Sequence, residues 1–260
     1  MKMYRIFTLI LLLCAPSWAT LAQGFNAQRF RQFVTMRVGT GTPIYWYCVG
    51  ELYSYPEGKL LAKVEGLDTA RLVKEKRTPR EAVQISRKIF LYRDVNTGAV
   101  LQIVNGKPVQ HIEYPYQHIT YQLDGDRMVT YVEQGAGERK QRIGPVTGMI
   151  ARQFGATLSF AAPLFLHFST PRGKYEAYEN YDFFIHTKAN GTRARYQLSW
   201  NRFGDLPPFF GQGKAIMQLV AYRVDSYAAL PATLRGYLEK NAPLWKAPPK
   251  DWQEIEALQK

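Results

Sequence analysis

The 260 residues are 46% hydrophobic, 14% aromatic and 21% charged, with a formal charge of +13. That length supports one well-filled core. The basic residues are dispersed, and the densest run, "RLVKEKRTPREAVQISRK" (71–88), is broken by Glu75 and Glu81, so no contiguous phosphate-tracking surface and no nucleic-acid partner is expected.

The chain opens with "MKMYR", a ten-residue apolar run (Ile6–Ala15) and small residues at cleavage spacing. This is the pattern of a secretory signal peptide, too short to span a bilayer. Thr20-Leu21-Ala22 predicts a signal peptide over 1–22 with cleavage before Gln23, and cleavage after Ala19 is the alternative. The remaining 23–260 reads as one mainly-β domain, with no transmembrane segment after cleavage and a periplasmic or secreted location. Cys14 follows three leucines, which argues against a lipid anchor. The mature chain keeps only Cys48, so no internal disulfide can form, and an apolar aromatic strand around that thiol predicts a buried, unreactive residue. For an exported protein the basic balance points instead to anionic envelope surfaces or acidic small molecules.

"FNAQRFRQFVTMR" (25–37) spaces Phe30, Phe33, Val34 and Arg37 on one helical face, with Asn26 as N-cap. Strands follow. "PIYWYCVGELYSY" turns through "PEG" into "KLLAKVEG", and "AVQISRKIFLYR" closes at "DVNTG". "AVLQIV" and "KPVQHIEY" flank Asn105-Gly106, a type I′ hairpin signal. "YPYQHITYQL" and "MVTYVEQ" pair through "DGDR", and Gly135–Gly148 reads as a loop. "TRARYQLSWN" (192–201) alternates cleanly, with Ala194, Tyr196, Leu198 and Trp200 on the core side, and "KAIMQLVAYRV" (214–224) is the next strand. The chain ends in helical pieces, the last capped by Asp251 with Glu254 three residues on. The fold class expected is a single-domain antiparallel barrel or strongly curved sheet with an N-terminal helix and C-terminal helical segments.

The aromatic strand raises a specific question. Neighbouring side chains point to opposite faces, yet Tyr45, Trp46 and Tyr47 put large groups on both. Such a strand has a helix over one face, or lies in a barrel whose interior it lines. Aromatic groups on inner faces line ligand cavities or fill cores. Tyr45, Trp46, Tyr47, Tyr131, His167, His186 and Trp200 are the residues expected around a pocket for a small apolar or aromatic molecule.

The four histidines lack metal-ligand spacing, and no P-loop, dinucleotide fingerprint or Gly-x-Ser-x-Gly is present, so no cofactor or metal is expected. A turn at "DGDR" pairs Leu123 with Met128 and sets His118 opposite Glu133, on one face with Thr120 and Tyr131. A carboxylate beside an imidazole suits a general base, and a surface ion pair is the plainer alternative. His118 and Glu133 are therefore the catalytic candidates, for a cofactor-free lyase, isomerase or hydrolase.

"PIYWYCVGELYSYPEGKLL", "VEGLDTAR", "LYRDVNTGAVL", "VDSYAALPATL" and "APPKDW", in this order and spacing, resemble a bacterial, often exported family catalogued as domain of unknown function 1838. The resemblance covers most of residues 25–252 and implies no settled activity. The chain departs from the family's pattern at "GDLPPFFGQG" (204–213). The reading that follows is an exported protein that binds a small molecule in an aromatic-lined pocket.

Overall fold

In the computed structural model, residues 24–134, 141–170, 173–188 and 195–259 are described. The signal-peptide segment, residues 135–140 of the expected 135–148 loop and residues 192–194 of the expected 192–201 strand lie outside them. Helix α1 (Ala27–Val38) begins as the sequence indicates, with Asn26 Oδ1 accepting from the Arg29 N–H at 2.9 Å. The strands are β1 (Ile44–Tyr55), β2 (Leu60–Leu72), β3 (Glu81–Arg93), β4 (Ile103–Val104), β5 (Lys107–Pro108), β6 (Ile112–Asp124) and β7 (Arg127–Gln134). After them come β8 (Gln141–Val146), β9 (Ile150–Phe154), β10 (Thr157–Thr170), β11 (Gly173–His186), β12 (Tyr196–Asp205) and β13 (Lys214–Val224). Helices α2 (Ala232–Asn241) and α3 (Trp252–Gln259) close the chain.

Eleven strands form one antiparallel sheet in the order β8-β7-β6-β3-β2-β1-β13-β12-β11-β10-β9. Two meanders meet where β1 pairs with β13. The sheet curls into a half-barrel around α1. The Phe33 ring makes the curl visible: it lies 5.3 Å from Tyr121 on β6 and 5.3 Å from Phe160 on β10, strands near opposite ends of that order. Close strand approach on the inner side needs small groups. A Cβ on Gly66 would stand 2.1 Å from the Ile89 carbonyl oxygen, and one on Gly50 would stand 1.9 Å from that of Gln218.

Both faces of β1 are buried, each under a different helix. Ile44, Trp46, Cys48 and Leu52 look inward to the Phe30, Phe33, Val34 and Met36 side of α1. Tyr47 looks outward and packs with Leu67, Ile89 and Leu91 under Leu230, Leu234 and Leu238 of the α2 region. Further along the convex face, Ile255 of α3 covers Val73, Val83, Ile85 and Tyr116.

Three local expectations change. The Asn-Gly hairpin forms its turn, with positive φ at Asn105 (51°) and Gly106 (74°), but pairs only two residues a side. Pro108 offers no N–H, and Ile103 is 68% exposed, so little apolar burial lengthens the ladder. The 135–148 stretch is not loop throughout, because β8 adds to β7 from Gln141. Residues 150–186, which carry little simple alternation, supply three strands.

Where β3 meets β6, Pro115 cannot donate and the register shifts between Ser86 and Lys88. The C-terminal segment occupies this bulge from outside. Trp245 Nε1 donates to the Lys88 and Tyr114 carbonyls at 2.8 and 3.2 Å. Arg87 donates to the Pro115 and Ala247 carbonyls and pairs with Glu254. Asp251 caps α3 by accepting from the Glu254 N–H at 3.0 Å.

Candidate functional site

The bulge, an extra residue in β6, turns Tyr114 inward beside Lys88, which alternation along β3 already points to the concave face. There, strand alternation brings Lys88, Phe90 and Tyr92 of β3 across from Tyr175, Glu179 and Tyr181 of β11 and Trp200 and Arg202 of β12. Glu179 is the centre of this surface. Its Oε2 accepts from the Tyr181 hydroxyl at 2.7 Å and the Trp200 indole at 3.1 Å, and Arg202 Nε lies 3.8 Å from its Oε1. Arg202 is held in turn by the Tyr175 hydroxyl, 2.9 Å from Nη2. Burial, then the adjacent Glu179 carboxylate, push the Tyr181 phenol well above its usual range, so it stays a hydrogen-bond donor.

Aromatic rings line the space between these polar groups. Trp200 lies 5.8 Å from Tyr181, in stacked orientation, and 5.8 Å from Phe90. Lys88 Nζ sits 5.7 Å above the Phe90 ring. Tyr92 packs edge-on against Phe209 and Phe210 of the β12–β13 loop, whose carbonyls accept from Asn105 Nδ2 of the β4–β5 turn. The segment that departs from the family pattern thus helps wall one end. Tyr114, Tyr181, Leu198 and Arg202 keep partial solvent access although the sheet curls around them. This partly open part of the concave face, called the crevice below, sets polar anchors among aromatic rings, the composition of small-molecule sites, with Phe90, Tyr92, Glu179 and Trp200 themselves nearly buried.

The seven aromatic and histidine residues expected around a pocket do not gather in one place. Trp200 lines the crevice. Trp46 shares its face but is sealed beneath α1, donating to the Arg37 carbonyl at 3.3 Å. Tyr45 and Tyr47 are on the convex side, Tyr45 against Tyr227 and Tyr47 donating to Glu65 at 2.7 Å. His167 is exposed, 3.1 Å from Glu176, and His186 bridges Thr157 and Gln197. The strand pattern does not gather them because positions of opposite parity face opposite sides of the sheet. Lys88, Tyr114, Glu179, Tyr181 and Arg202 escaped sequence reading. The available signal was a lysine in the inward series Ser86-Lys88-Phe90-Tyr92 of a strand otherwise apolar on both faces.

Tyr131 lies with the other candidate pair, on the convex face. His118 stands directly opposite Glu133, as Leu123 does Met128 and Thr120 does Tyr131. His118 Nδ1 is 3.7 Å from Glu133 Oε2, Arg142 Nε is 3.7 Å from Oε1, and Thr120 Oγ1 is 3.3 Å from His118 Nε2. These residues, with Gln122, line a shallow groove of about 330 Å³. The Trp252 ring meets His118 edge-on at 4.6 Å and carries Lys76 Nζ 3.8 Å over its face. The groove therefore offers an imidazole, a carboxylate and a phenol within one face. Among the described residues, no three His, Cys, Asp or Glu side chains come together as a metal-binding group.

No curated protein and no solved structure matches the chain. One family model, described as "Protein of unknown function (DUF1838)", matches residues 41–259, which hold all eleven strands of the curled sheet and the C-terminal helices. The chain belongs to the DUF1838 family.

Proposed function

We propose that this is an exported protein that binds a small aromatic molecule in the crevice on the concave face. One observation carries the reading: Glu179 gathers the Trp200 indole and the Tyr181 hydroxyl at the wall of a surface still open to solvent. A buried carboxylate that fixes two aromatic side chains preorganises them, which reduces the ordering cost of a planar ligand. The bulge in β6 that turns Tyr114 toward Lys88 supports the same location, since bulges re-aim side chains beside functional sites. The apolar leader at residues 1–22 supports export.

The test is calorimetric titration of the mature protein with 2-naphthoate and 2-naphthamide, alongside native mass spectrometry of protein purified from its own envelope. Binding of either compound that is lost in Tyr181→Ala and Trp200→Ala variants that remain folded supports the crevice. Equal binding by the wild type and both variants overturns it.

A second reading rests on the His118–Glu133 register. In it, the convex groove performs acid–base chemistry as a lyase, isomerase or hydrolase, with His118 as base, Glu133 orienting it and Tyr131 as proton donor. Turnover found in a substrate screen and abolished by His118→Ala, with an unchanged unfolding midpoint, supports it. Full turnover in that variant removes it.

A further inference from the structure

The polar groups of the crevice are unevenly satisfied, and the imbalance points to a ligand class. We infer that the crevice takes a planar aromatic anion, its ring against Phe90, Trp200 and Tyr181 and its charged group at Lys88 Nζ. The inference rests on the crevice reading and sharpens it.

The argument is one of charge. Among the described residues, each carboxylate on this face already meets a cation, although Asp68 Oδ1 is buried without a hydrogen-bond partner. Asp68 Oδ2 receives Arg37 Nη2 at 2.8 Å, and Glu179 receives a phenol, an indole and, at 3.8 Å, a guanidinium. Arg202 is spent on Tyr175 and Glu179. Lys88 alone is left with a long contact, 3.9 Å from the Asp68 oxygen that Arg37 already holds. Its side chain is only 13% exposed. An ammonium has three donors in every direction, and taking it out of water without an acceptor is costly. An incoming anion supplies that acceptor and neutralises the surplus positive charge of Arg37, Lys88 and Arg202 over Asp68 and Glu179.

The geometry restricts the anion further. Lys88 lies beside the Phe90 face, Phe90 leads to Trp200, and Trp200 stacks with Tyr181. These rings form a strip running away from the charge, so the anionic group and a flat apolar body are recognised together. A purely inorganic anion would meet Lys88 but leave the rings unoccupied.

The probes 2-naphthoate and 2-naphthamide share size and shape and differ in charge. The expected result is about tenfold or more tighter binding of the carboxylate, the factor that corresponds to about 1.4 kcal/mol. Lys88→Gln should bring the two affinities together while retaining amide binding, and Lys88→Arg should keep the preference. Equal affinities in the wild type, or a preference unchanged in Lys88→Gln, overturn the anion assignment and leave the crevice standing. Failure of both compounds to bind at about 1 mM removes the crevice reading and this inference with it. If Lys88→Gln fails to fold, the wild-type ratio together with the Lys88→Arg ratio decides: a preference kept in both supports the anion, and none in the wild type overturns it.

Discussion

Arg37, in the last turn of α1, places Nη2 2.8 Å from Asp68 Oδ2 in β2, and both residues are buried. This pair fastens the inserted helix to the sheet that surrounds it, with Lys88 at the far side of the same oxygen. Removing one member leaves a buried charge unpaired. Arg37→Met should therefore cost about 3–5 kcal/mol in urea unfolding, and Arg37→Met/Asp68→Leu should recover a large part of it. A double variant as unstable as the single one would show that Arg37 acts through packing alone.

Cys48 lies on the inner face behind Trp46, with burial and then Asp68 raising its thiol far above the usual range. A chain beginning at Gln23 should expose no thiol to Ellman's reagent at pH 8 and one after unfolding in urea. Fast labelling of the native protein would contradict this burial.

The curl itself can be tested at Gly66. A methyl group there meets backbone rather than a yielding side-chain tip, with the Ile89 oxygen at 2.1 Å. Gly66→Ala should destabilise by more than about 1–3 kcal/mol, the usual cost of overpacking, because the strands must separate. Circular dichroism melting of Gly66→Ala beside Gly236→Ala, where a Cβ meets nothing, isolates the effect.

His111 accepts from the Tyr92 backbone N–H through Nδ1 at 3.2 Å, which requires the unprotonated ring nitrogen. Burial, then the nearby Arg93 charge, lower its affinity for protons below the ordinary 6.5. Between that lowered value and 6.5 the unfolded chain takes up the proton and the folded one does not. Stability should thus fall as pH drops from 6.5, and full stability holds above it. Melting temperatures from pH 7 to 5 should decline less steeply in His111→Gln than in the wild type.

Trp245 donates to two carbonyls at the β3–β6 bulge, those of Lys88 and Tyr114. Trp245→Phe keeps much of the ring and deletes the donor, so it should cost about 1–3 kcal/mol for the lost buried hydrogen bonds. The same variant should loosen α3, read as faster amide exchange around Ile255.

Several features were legible because they depend on neighbours in the chain. Asn26 caps α1, Asp251 caps α3, and the "DGDR" turn fixes the register that sets His118 against Glu133; each is decided within a few residues. The two-sided stretch "PIYWYCV" (43–49) announced that something must cover both of its faces. Which helix covers which face is a different kind of fact. α1 reaches Trp46 and α2 reaches Tyr47 only because the whole sheet curls, and Phe33 meets β6 and β10 through that curl. The crevice is likewise tertiary: Lys88, Glu179 and Trp200 are separated by long stretches of sequence, and their meeting follows from strand order. Alternation along a strand tells which side chains share a face, whereas the order and curvature of eleven strands decide which faces meet.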